Sequence, residues 1–121
     1  DHAREGSQSV AESRCHLLFS DHGLPRPLQQ VEVRDERGWL VGIVDFAWPE
    51  HRVVLEFDGI EKYHRYRRPG ESIEEMVLRE KWREDRIREV TGWTIIRISW
   101  ADLEHPARLV ERLRRQLARS A

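Results

Sequence analysis

The chain carries apolar runs of two periods. Leu28 to Val33 reads as a strand, Asp35 to Gly38 as a turn, and Trp39 to Trp48 as a second strand. A Pro-containing turn then leads into a third run, Arg52 to Phe57, in which Val53, Val54 and Leu55 are consecutive. An uninterrupted apolar run is what a strand covered on both faces of a mixed sheet requires, and Gly59 lets the chain leave it sharply. Trp93 to Ser99, rich in β-branched residues, predicts a fourth strand.

Helical patterning occupies the rest. Ser9 and Glu12 form a capping-box spacing ahead of Val10, Leu17, Leu18 and Phe19, and Gly23 and Pro25 stop that helix. A second helix is predicted over Ser72 to Val90, opened by the Ser72/Glu75 capping box and ended at Thr91 and Gly92. Its apolar stripe is Ile73, Met76, Val77, Ile87 and Val90, with Glu80 and Glu84 in the middle and Lys81 at the edge. A last helix follows Pro106, with Leu109, Val110, Leu113 and Leu117 on one face and Arg108, Arg112, Arg114, Arg115 and Arg119 on the other. That basic face reads first as solvated, with phosphate contact as the alternative. Residues 1–8 read as a linker or disordered end, and residues 9–121 as a single α/β domain.

Composition narrows the class. Charged residues make up 36% of the chain, yet the net charge is only −1, so no global field points to nucleic acid. A single cysteine, Cys15, excludes an internal disulfide framework and fits a reducing cytoplasm; it reads as a packed small hydrophobe. No apolar run approaches the ~20 residues of a membrane span, and no signal peptide is visible. Of the 21 basic residues only Lys62 and Lys81 are lysines. The first residue is Asp1 rather than Met, from which the chain is expected to be the C-terminal part of a longer protein.

Acids interrupt the strands where apolar residues belong. Asp45 lies in the second strand, Glu56 and Asp58 in and after the third. Alternation puts Glu56 and Asp58 on one side, and a hairpin would bring Asp45 near them. Three converging carboxylates would repel and take up protons unless a cation joined them, and hard oxygen ligands suit Mg²⁺ or Mn²⁺. The competing reading is acids salt-bridged to nearby arginines. After Gly59, the segment IEKYHRYRRPG sets Lys62, Arg65, Arg67 and Arg68 among Tyr63, His64 and Tyr66, a composition that suits phosphates and stacked bases and also an ordinary solvated loop.

Asp45, ten residues, Glu56, one residue and Asp58 resembles the D…(D/E)xK signature of the PD-(D/E)xK nuclease superfamily, with Asp58 where the lysine usually stands. Glu12 on a leading helix, EFDG at 56–59, KYHRY at 62–66, EKWRED at 80–85 and GWTIIRISWADL at 92–103 together resemble the very-short-patch-repair-like endonucleases, and among them the branch called domain of unknown function 559. The resemblance covers residues 12–103. It implies a restriction-endonuclease-like αβββαβ core, with a four-stranded mixed sheet flanked by helices.

It also implies a metal-dependent DNA endonuclease of repair or defence. Asp45, Glu56 and Asp58 would hold Mg²⁺ or Mn²⁺, and Glu12 would support the site or merely cap its helix. Lys62, His64 or Lys81 would assist, Lys81 perhaps standing in for the lysine absent at Asp58, while Arg65, Arg67 and Arg68 would contact DNA. The alternative is a catalytically inactive nucleic-acid-binding or regulatory domain attached to an N-terminal, antitoxin-like DNA-binding module. Neither reading decides specificity or oligomeric state.

Overall fold

The computed structural model describes residues 2–58 and 67–119. Helix α1 (His2–Asp21) leads into three strands, β1 (Leu28–Arg34), β2 (Leu40–Trp48) and β3 (Val53–Phe57), with a short 3-10 turn, Pro49–His51, between the last two. Helix α2 (Ile73–Thr91) crosses back to β4 (Thr94–Ile98), and α3 (Trp100–Leu103) and α4 (Pro106–Arg119) close the chain. The sheet runs β1-β2-β3-β4. Its first two pairings are antiparallel and β3 pairs β4 in parallel. A four-stranded mixed α/β sheet flanked by helices, in the order αβββαβ, is therefore the architecture.

The two faces of the sheet bury different partners. Phe46, Leu55 and Ile98 turn to one side, where Ala11, Cys15, Leu18 and Phe19 of α1 meet Leu109, Val110, Leu113 and Leu117 of α4. Val33, Val44, Ala47 and Val54 lie in a smaller cluster with Ile87 of α2. Leu55 and Val54 thus serve opposite faces, which explains the uninterrupted apolar run in β3. No helix among the described residues is long and apolar enough to cross a membrane.

Several helical expectations are corrected. Helix α1 starts at His2, so Ser9 lies inside it. The residues before Ser9 are mostly tolerant of helix, and the single Gly6 costs only about 1 kcal/mol. The buried face of α1 uses the small residues Ala11 and Cys15 beside Leu18 and Phe19, leaving Val10 and Leu17 exposed. In α2 the capping box stands as expected, with Ser72 accepting from Glu75 and Gly92 closing the helix in the left-handed conformation. Only Met76 and Ile87 of its stripe are buried, while Ile73 and Val77 face outward.

Candidate functional site: an arginine-bound acid cluster where two strands part

The ladder between β2 and β3 ends at Phe46↔Leu55. One step further in the same register lie Asp45 and Glu56, both buried, at 8% and 2% exposure. Phe57, two residues beyond Leu55, does not pair with the β2 backbone there; its amide donates to Asp45 Oδ2 at 2.8 Å. A side-chain carboxylate has replaced a ladder carbonyl, so the strands diverge around it. The pairing on the other flank is disturbed as well. Gln30, between the β1 residues that pair Phe46 and Val44, holds a left-handed φ of 51°. That conformation costs a non-glycine residue roughly 1 kcal/mol or more, and it falls beside a candidate site acid.

Arg83 of α2 fills the opening. Its Nη1 donates to Glu56 Oε1 at 3.1 Å, and its Nη2 donates to the Ile43 carbonyl at 2.6 Å and, more weakly, to Glu56 Oε2 at 3.4 Å. Glu80, one turn earlier, lies 3.7 Å from the same guanidinium. Burial alone would lower the pKa of Arg83, but Glu56, helped by Glu80, outweighs it and raises it above the ordinary value. The approach depends on Gly42: a Cβ there would stand 2.8 Å from Arg83 Nε and 3.3 Å from Ile87 Cδ1.

A second arginine continues the cluster. Arg97 of β4 lies 3.6 Å from Asp58 and donates to Glu84 through Nε at 2.8 Å, and Glu84 also accepts from Arg88. Burial works to raise the Glu84 carboxyl, yet Arg97 and Arg88 together hold it below the usual range. The same cluster borders a shallow cleft of about 200 Å³ lined by Asp58, Met76, Val77, Glu80, Lys81, Glu84 and Arg97. Lys81 and Asp58 therefore share one cleft, with Lys81 exposed at its rim.

The sequence-predicted acids divide between two surroundings. Glu56 and Asp58 face the arginines of α2 and β4, as strand alternation requires. Asp45 acts on α1: burial first, and then the charges of Asp45 and Glu12, push the Cys15 thiol up to about 12. Cys15 is thus an inert, protonated core residue. Glu12 does not cap its helix. Its two oxygens accept from Gln29 Nε2 at 2.9 Å and Gln30 Nε2 at 3.1 Å, tying α1 to β1. Arg67 and Arg68 are exposed, and Lys62, His64 and Arg65 lie outside the described residues.

Donor chemistry and arrangement pull apart when a divalent cation is considered. Carboxylate oxygens are the right ligands for Mg²⁺ or Mn²⁺. Among the described residues, however, no group of three or more His, Cys, Asp or Glu side chains is placed to hold a metal ion. Glu56 accepts from Arg83 with both oxygens, and Asp58 leans on Arg97. The guanidinium supplies the positive charge a cation would otherwise supply, so this arrangement of the described residues does not fit a divalent ion.

Arg83, Arg97 and Gly42 are the site residues that sequence reasoning missed. Gly42 left a signal, since an isolated glycine inside a strand marks a close approach. The arginines left less, because almost every basic residue of the chain is an arginine.

The chain is 38% identical over 117 residues to two uncharacterized proteins of Mycobacterium tuberculosis, one from each of two strains. The alignment takes in 94% of this chain and 39% of each relative, so the chain spans about two-fifths of the length of the curated relatives it matches. No protein-family model matches the chain. No solved structure matches it significantly.

Proposed function

We propose that this domain is a nuclease of the PD-(D/E)xK type, cleaving phosphodiester bonds in DNA with Mg²⁺ or Mn²⁺ as cofactor, in the cytoplasm. One observation carries the reading: two buried carboxylates, Asp45 and Glu56, stand side by side where β2 and β3 part, at the edge of a cleft that also holds Asp58 and Lys81. Buried acids add little to stability even when paired, because desolvation offsets most of the attraction, so their presence in a sheet core favours a chemical role. The αβββαβ order is the one this nuclease resemblance implies, although fold alone does not set function. Asp58 and Lys81 are the groups of the cleft that would attend the scissile phosphate, with Lys62, His64, Arg65, Arg67 and Arg68 completing the DNA contacts.

The Arg83 guanidinium on Glu56 favours a second reading, a domain that binds nucleic acid or regulates a neighbouring DNA-binding module without cleaving. The first reading requires that contact to open; the second does not. Incubation of supercoiled plasmid with Mg²⁺ or Mn²⁺ separates them, with wild type run beside folded Asp45→Asn and Glu56→Gln. Nicking by wild type alone supports the nuclease. DNA binding that persists in EDTA and in both variants, without nicking, supports the second reading, and absence of both binding and nicking removes each.

A further inference from the structure

The inner face of α2 is occupied by Met76, Arg83 and Ile87, while its outer face is apolar without cover. Ile73, Val77, Leu78 and Trp82 are 40%, 45%, 54% and 71% exposed. At about 100° per residue these four, with Glu74 and Lys81, fall within about half of the helix circumference. A solvated helix face normally places charge there, and grouped large apolar side chains mark a surface that is covered by something.

The order of these residues says what covers it. Reversing the helix end for end about the point between Val77 and Leu78 sets Ile73 against Trp82, Val77 against Leu78, and Glu74 against Lys81. Each apolar residue meets an apolar residue, and the two central charges meet their opposites. Neither Glu74 nor Lys81 has an ion-pair partner among the described residues. Such a face is complementary to itself when run antiparallel, the property an isologous two-fold interface demands and a heterologous partner does not. Antiparallel packing also sets the positive N-terminal end of each helix dipole beside the negative C-terminal end of its partner.

We propose that the outer face of α2 is a homodimer interface, in which two copies pack their α2 helices antiparallel. Ile73 and Trp82 of the two copies form the apolar contacts at either end, and Val77 and Leu78 meet at the two-fold axis. Two Glu74–Lys81 pairs fix the register more than they add affinity. One helix face per copy is small beside the ~800 Å² per partner of a stable complex, so the dimer forms reversibly. Val77 and Lys81 also line the Asp58 cleft, so the two clefts come to lie near the axis.

Sedimentation equilibrium of the chain across the micromolar range tests this. The expected result is a concentration-dependent rise from the mass of one chain toward twice that mass. Leu78→Asp, at an exposed position that leaves the fold intact by circular dichroism, should weaken association at least about tenfold. Glu74→Lys and Lys81→Glu should each weaken it, and the two together should restore it, since the reversed charges meet again across the axis. A single-chain mass throughout the range overturns the proposal. So does a dimer indifferent to Leu78→Asp, and so does one that the double charge reversal fails to restore.

Discussion

Arg83 reaches from α2 to Glu56 in β3, a separation of 27 residues in the chain, and joins them by a hydrogen-bonded ion pair in which Glu56 is 3% and Arg83 20% exposed at the side chain. Removing one member of such a pair leaves a buried charge without a partner, which costs about 3 to 5 kcal/mol, whereas replacing both with apolar groups of similar size is close to neutral. Arg83→Ala should therefore lower stability by an amount in that range in urea denaturation at neutral pH. Combining Arg83→Met with Glu56→Leu should recover most of the loss. Recovery would show that the fold does not depend on the pair, leaving a chemical use of Glu56 as its explanation; a double variant as unstable as Arg83→Ala would make the pair a structural element.

Gly42 gives an independent handle on the same contact. A methyl group at this position meets Arg83 Nε at 2.8 Å, with Arg83 Cζ and Ile87 Cδ1 both at 3.3 Å. The guanidinium must move away from Glu56 and the Ile43 carbonyl, so Gly42→Ala should cost roughly 1 to 3 kcal/mol by overpacking. Because both substitutions act on one contact, the losses from Gly42→Ala and Arg83→Ala should be less than additive in a double-mutant cycle. Full additivity would mean that Arg83 does not lie over Gly42.

The strands, the Ser72 capping box and the apolar face of α4 were legible because each is written in local spacing. Leu109, Val110, Leu113 and Leu117 are all buried, as their periodicity predicts. Helix α1 was not legible in the same way. Its packing surface had to accommodate Phe46 and Trp48 of the sheet, and Ala11 and Cys15 admit a close approach that Val10 and Leu17 would prevent. The acids of the site were legible as costly positions, and Glu56 and Asp58 share a side as alternation requires. What balances their charge was not, since Arg83 and Arg97 come from distant elements and nothing local distinguishes them from other arginines.

Acid should unfold the protein in a defined order. Hydrogen bonds from Arg79 and the Arg68 backbone amide bring the Glu71 carboxyl down from 4.5 to about 2, and Glu84 is also held below 4.5 by its arginines once burial is outweighed. A carboxyl with a lower pKa folded than unfolded binds fewer protons in the folded state. Its contribution is complete above 4.5 and is lost as pH falls toward the folded value. Stability measured in urea should hold steady from neutrality to about pH 5 and then fall progressively, with the Glu71 share persisting until about pH 2. Glu71→Gln should flatten the lower part of that fall; an unchanged slope would mean that the Arg79 contact is absent in solution.

Chelation bears on how the charge of the site is balanced. In the arrangement of the described residues the guanidinium groups of Arg83 and Arg97 already neutralise Glu56 and Asp58. A ligand stabilises the folded state only in proportion to its binding there, so a fold that needs no cation gains nothing from one. The thermal midpoint in EDTA should accordingly match that in metal-free buffer. In Arg83→Ala, by contrast, Glu56 has lost its counter-charge, and Mn²⁺ should raise the midpoint more than it does in wild type, a comparison that needs no enzymatic assay. Should EDTA lower the wild-type midpoint, the acids would already be holding a cation in solution, and Arg83 could not be the group that balances Glu56.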